Sequence, residues 1–174
     1  MKISKILLVL FVSISVLSCK KDDDGDNSFL LSSANLAGTY SISSLNADTT
    51  ITTVLAGIPI SVVTNSVGSV FQIDIIFSDA GTYTVNGQYL LTSTTTGDGQ
   101  TTTNSEIIVL DETGSYQIDA NAQTITFDGN SSLGSGALSI SEFTQTQVRM
   151  MQSISESNNG ITVESVTDIL LVRQ

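Results

Sequence analysis

The side chains able to do chemistry are few and scattered. The 174-residue chain carries one cysteine, Cys19, seventeen carboxylates, six cations and no histidine. Without His, the usual proton carrier near neutral pH and the commonest metal ligand are missing. A single Cys excludes an internal disulfide and a thiolate zinc cluster. No Ser-His-Asp or Cys-His nucleophile system can be assembled. Asp22, Asp24 and Asp26 alternate as calcium ligands do, but an EF-hand loop then needs Gly and Glu where this chain has Asn27 and Ser33. Asp74, Glu106 and Glu142 stand singly between apolar neighbours. A hydrolytic carboxylate pair needs two acids about 5–10 Å apart, and no motif here brings two together. No enzyme activity, no cofactor and no metal are expected. The net charge of −11 argues against a nucleic-acid partner, whose binders carry a clustered basic footprint.

Cys19 takes its meaning from the residues before it. Lys2 and Lys5 form a basic start, and Ile6 to Leu17 is an apolar run broken only by Ser13 and Ser15. Twelve residues reach about 18 Å as a helix, short of the roughly 30 Å hydrocarbon core. The run is therefore expected to be a secretory signal rather than a membrane span. Its end, Val16-Leu17-Ser18-Cys19, resembles the bacterial lipobox. The resemblance implies cleavage after Ser18, a diacylglyceryl thioether on Cys19 and N-acylation by a palmitate-type chain, so that the protein meets a membrane through this lipid. The alternative is an ordinary signal peptide followed by an incidental Cys. Several acyl chains at about 0.8 kcal/mol per buried CH₂ hold far more firmly than one.

The division expected is a signal peptide over 1–18, a lipidated Cys and acidic tether over 19–34, and one domain over 35–174. Lys20 to Ser28, KKDDDGDNS, has nothing to bury and is expected to be disordered. Lys20, Lys21, Asp22, Asp23 and Asp24 resemble the surface-export signal of Bacteroidetes lipoproteins. The plainer reading is a solvated spacer, and both can hold together.

The elements that would position any site are strands. Phe71, Ile73, Ile75 and Phe77 alternate with polar residues, as do Tyr83 and Val85, Tyr89 and Leu91, Tyr116 and Ile118, and Ile125 and Phe127. Period two with abundant Thr, Val and Ile predicts half-buried strands. Turn signals at Ser78–Gly81, Thr96–Gly99, Asp119–Asn121, Asp128–Asn130 and Asn158–Gly160 separate them. No segment has a convincing helical period; Phe29 to Ala34 could make one short turn. The spacing predicts an all-β antiparallel up-and-down meander of about eight to ten strands. It closes into a barrel or folds as a two-sheet sandwich. After the tether only Arg149 and Arg173 are basic, so Lys-guarded edges are unavailable, which favours closure. Pro59 is expected to demote Ile58–Val63 to an edge or irregular strand. Thr92 to Ser105, without an apolar anchor, reads as a long mobile hairpin tip or as a polar extension of a hairpin.

Leu36-Ala-Gly-Thr-Tyr40, Phe77-Ser-Asp-Ala-Gly-Thr-Tyr83, Gly114-Ser-Tyr-Gln-Ile118 with Thr124-Ile-Thr-Phe127, and Ile140 to Val148 fall in an order similar to that of small bacterial lipocalin-like domains. Tyr40 stands where lipocalins open with Trp. The resemblance implies a lipocalin-like barrel over about Leu36 to Arg173, with Arg173 packed across Tyr40 at the closed end. If the lumen is open, the alternating apolar residues Phe71, Ile73, Ile75, Phe77, Tyr83, Tyr89, Tyr116, Phe127 and Met150 are the candidates to line it; the plainer reading of each is a core side chain. Two functions then follow, of which the resemblance favours the first, with the second as the alternative. A barrel with an open lumen would hold a small hydrophobic ligand. A barrel with a filled core would be a structural or surface-interaction domain of the cell envelope, working through an exposed patch.

Overall fold

The computed structural model describes residues 29–174. Cys19 and the Lys20, Lys21, Asp22, Asp23 and Asp24 run lie outside the described residues. One short helix, α1 (Ser33–Leu36), leads into eight strands. They are β1 (Gly38–Leu55), β2 (Ile58–Phe77), β3 (Thr82–Gly97), β4 (Gln100–Asp119), β5 (Thr124–Ser131), β6 (Gly134–Phe143), β7 (Gln147–Asn158) and β8 (Ile161–Arg173). Every neighbouring pair is antiparallel, and β1 pairs with both β2 and β8, closing the sheet into an eight-stranded up-and-down barrel. The barrel, rather than the sandwich, is therefore the architecture.

The inward row explains the closure. Tyr40, Ile42, Ile73, Ile75, Phe77, Tyr83, Val85, Tyr116, Ile125, Phe127, Leu138, Ile140, Val148, Met150, Ile169 and Leu171 are all buried in one cluster. Leu133, at the β5–β6 turn, folds in beside them. Outward positions at the same level carry Gln72, Asp74, Thr84, Asn86, Gln88, Asp111 and Thr113, all exposed. A membrane-spanning barrel has the reverse sidedness, apolar outside and polar within. At this level the barrel has apolar side chains within and polar ones without, and it fills its own interior.

Strand length divides the ring. β5 and β6 have 8 and 10 residues, whereas β2 and β4 have 20 each. β4 pairs with β5 only from Tyr116 to Asp119, and β7 pairs with β6 only from Val148 to Met151. Above that level the sheet β7-β8-β1-β2-β3-β4 continues without the short hairpin. Among the described residues no strand pairs with the outer side of β4 from Gln100 to Asp111, or of β7 from Gln152 to Asn158. The molecule thus has a closed, packed end and an open, trough-like end. Register shifts between Tyr40 and Asn46, Ile42 and Ser44, and Ser69 and Gln72 fall where one passes into the other. Bulges bend strands and raise their twist, which turns the open sheet into the ring. Gly87 serves the same bend: at φ 133, a Cβ there would lie 1.9 Å from the Gln72 carbonyl oxygen.

Three expectations need correction and one, at Pro59, holds. Thr92–Ser105 is no mobile tip. It is a regular ladder that turns only at Asp98-Gly99, whose φ values of 50 and 71 match a type I′ hairpin. Pro59 stands on a local edge, as expected, although β2 runs on as one strand from Ile58 to Phe77. Pro59 pairs with Val54 of β1, but β3 begins to pair only at Val62, so no ladder bond is lost. The helical turn is Ser33–Leu36, not Phe29–Ala34, because the Ser32 hydroxyl accepts the Asn35 amide at 3.2 Å and caps it there. Residues 29–34, expected in the tether, are part of the folded domain: Leu31 is buried in the core and Phe29 packs on Phe143, ring centroids 4.9 Å apart.

Candidate functional site

At the packed end the chain's beginning and end lock together. The Arg173 guanidinium lies 4.8 Å over the Tyr40 ring. Its Nη1 donates to the Ala37 carbonyl at 2.7 Å, and its Nη2 to the Asn35 carbonyl at 2.6 Å and the Tyr40 hydroxyl at 2.5 Å. The Tyr40 hydroxyl donates onward to the Leu36 carbonyl at 2.9 Å. One planar cation thereby satisfies carbonyls that a helix C-terminus leaves without partners. Burial raises the Tyr40 pKa, and Arg173 partly offsets it. The α1 carbonyls were missed by the sequence reading; nothing in a local pattern connects residue 37 with residue 173.

The nine residues assigned to the lumen divide between the two ends. Ile73, Ile75, Phe77, Tyr83, Tyr116, Phe127 and Met150 are buried to 4% exposure or less. Phe77 sits at their centre, edge-on to Tyr40 at 5.7 Å and to Tyr116 at 5.3 Å, with Phe127 at 6.3 Å. Tyr83 meets Phe127 at 5.1 Å. Such edge-to-face contacts are those of a filled core, so these seven side chains fill the packed end rather than line a space. Burial raises the pKa of Tyr83 and Tyr116. Only Phe71 and Tyr89 sit higher. They are half-buried and stacked at 5.9 Å on top of the core.

Those two rings, with Leu45 and Leu110, form the apolar floor of the open end. Above them the inward row becomes hydroxylic: Ser66 meets Ser93 at 2.8 Å, Thr64 meets Thr95 at 3.0 Å, and Thr49 meets Ser165 at 3.0 Å. The outer face of the β3–β4 extension repeats the device, with Thr92–Ser105, Thr94–Thr103 and Thr96–Thr101 pairs. Such cross-strand hydroxyl pairs support a sheet that has no core beneath it. Val54, Ile58, Val63, Val67, Ile107, Val109 and Val166 stand exposed on this end.

Charge is equally uneven. The open sheet carries Asp48, Asp98, Glu106, Asp111, Glu156 and Glu164 and no basic residue. The described cations are engaged elsewhere: Arg173 in the lock, and Arg149 with Asp168 through Nε at 2.9 Å and Nη2 at 2.5 Å. Asp168 raises the Arg149 pKa by that hydrogen bonding. The isolated acids stay apart in their bonding: Asp74 accepts from Gln174 at 2.9 Å and Glu142 from Gln147 at 2.5 Å. Among the described residues no group of three or more acids could hold a metal ion.

No family model and no curated protein matches the chain. Among solved structures, the crystal structure of Ail, the attachment invasion locus protein of Yersinia pestis, is matched over 79% of this chain and 99% of that one. Identity is 8% and the TM-score 0.24. A score that low establishes no common fold and carries no argument about function.

Proposed function

We propose that this chain is a lipid-anchored outer-membrane protein, non-enzymatic, with a packed barrel as its base and the open sheet as its working surface. The observation that carries this reading is the pairing of a filled interior with large apolar side chains left exposed on the open sheet. Soluble monomers seldom expose many of these together unless they meet a partner. The anchor supports the orientation. Cys19 precedes Phe29 by ten residues, and a chain spans at most about 3.3–3.6 Å per residue. A lipid on Cys19 then lies at most about 36 Å from Phe29, which enters at the packed end. The hairpin turns at Ala56-Gly57, Asp98-Gly99 and Asn159-Gly160 lie at the other end and point away from the bilayer. The Lys20 to Asp24 run favours the cell-surface side.

A second reading rests on Phe71 and Tyr89, whose half-buried rings offer a floor for a small hydrophobic ligand. Native mass spectrometry of the chain extracted from its own envelope separates the two. The expected spectrum shows lipid linked to Cys19, no further mass, and no uptake of added fatty acid. A defined extra mass of a few hundred daltons, lost on denaturation, would instead assign the open end to a ligand.

A further inference from the structure

The outer edge of β4 has features of a strand-addition site. Tyr116 donates its amide to the Gly81 carbonyl at 2.8 Å, back toward β3. The β3–β4 ladder runs from Thr82↔Ser115 to Gly97↔Gln100 without a register shift. Backbone groups alternate sides along a strand. The N–H and C=O of Thr101, Thr103, Ser105, Ile107, Val109 and Asp111 therefore point outward, where no described strand meets them. Natural edges are blunted by Lys, Pro, bulges or covering loops. Between Gln100 and Asp111 there is no Lys, no Pro and no bulge. The outward side chains at the centre, Ile107 and Val109, are 65% and 70% exposed. Beside them lies a hollow of about 190 Å³ lined by Val70, Gln72, Gln88, Tyr89, Leu90 and Ile107.

We propose that this edge binds an extended, cationic, β-branched segment of another protein by β-augmentation. The added strand would pair with the outward groups from Thr101 to Asp111 and lay apolar side chains beside Ile107, Val109 and the hollow. Charge selects this occupant over a second copy. Glu106 and Asp111 lie on the edge itself and the open sheet holds no base, so an identical edge would bring acids against acids. Backbone pairing supplies affinity in such complexes, and side-chain pockets supply specificity. The inference rests on the open sheet being the working surface and names its partner class.

The test uses the full lipidated chain in detergent and a labelled peptide of about ten residues alternating valine with lysine or threonine, read by fluorescence anisotropy. The expected result is saturable binding, at least tenfold weaker when glutamate replaces lysine. Val109→Pro removes one outward N–H from an edge strand, where proline is tolerated. It should weaken binding about tenfold without lowering the melting temperature. Amide exchange provides a second reading: the bound peptide should slow Ile107, Val109 and Asp111 and leave Ile108 and Leu110 unchanged. Absence of binding, equal binding by Val109→Pro, or slowing that ignores this alternation would overturn the proposal. So would a free chain that sediments as a dimer and becomes a monomer on Val109→Pro, since a second copy would then own the edge. A failed peptide with a ligand-free native mass removes only the edge, whereas a bound small molecule removes the open-sheet reading itself.

Discussion

The two halves of β1 show the division of the whole molecule. From Gly38 to Leu45 the strand turns Tyr40, Ile42 and Leu45 inward onto the core; from Asn46 to Leu55 it turns Ala47, Thr49, Ile51 and Thr53 toward an open trough. Both halves are paired on both sides, by β2 and β8. Backbone bonding is thus alike, and the difference lies in what the side chains meet. Below, eight strands surround them with aromatic rings; above, six strands leave them facing water and one another. Antiparallel pairing alone is enough to extend a sheet, but it does not create an interior.

That contrast sets the sizes of several substitutions. Phe77→Ala at the centre of the packed end should cost about 3–5 kcal/mol, the range for losing a buried aromatic. Thr64→Ala in the open trough should stay within about 0.5 kcal/mol. Chemical denaturation of both variants measures the difference, and equal losses would abolish the distinction between the ends. Arg173→Ala leaves the Asn35 and Ala37 carbonyls without their donor. It should cost about 2 kcal/mol, within the range for hydrogen bonds to charged groups, and Arg173→Lys should recover only part because a point charge cannot fork.

Alkaline pH acts next. Burial raises the pKa of Tyr40, Tyr83, Tyr89 and Tyr116. The folded chain therefore holds phenolic protons that the unfolded chain releases near pH 10. Their contribution is complete below about pH 10 and is lost as pH rises through the higher folded-state values. Double replacement of Tyr40 and Tyr116 by Phe should flatten that loss in a denaturation series, while replacing exposed Thr94 should not. A small effect is expected at the surface pair as well: Asp168→Asn should change stability by no more than about 1 kcal/mol. A larger loss would mean that Arg149 and Asp168 help hold the ring closed.

Much of this architecture was legible from residue types. The alternation of Phe71, Ile73, Ile75 and Phe77 defines a core face wherever the strand is placed, because side chains on a strand alternate sides. The Asp-Gly and Asn-Gly dipeptides at Asp98 and Asn159 name their turns by their tolerance of positive φ. Thr92 to Ser105 was harder to read. A polar run without apolar alternation carries no sign of being a strand, and its ladder persists because cross-strand Thr pairs and a tight turn supply what burial does not. The tyrosine and arginine of the lock could be paired from the order of motifs, but not the α1 carbonyls they serve.

By itself the sequence determined the strands, most of their turns, the apolar face that had to be hidden and the acidic balance. These follow from neighbouring residues and the period of two. Only the tertiary structure decided that β5 and β6 stop short. That decision leaves β4 and β7 with open edges, fills the packed end with seven of the nine residues assigned to the lumen, and lifts Phe71 and Tyr89 to the mouth. A strand's length fixes how far it could reach, but which backbone groups remain unpaired depends on where its neighbours end.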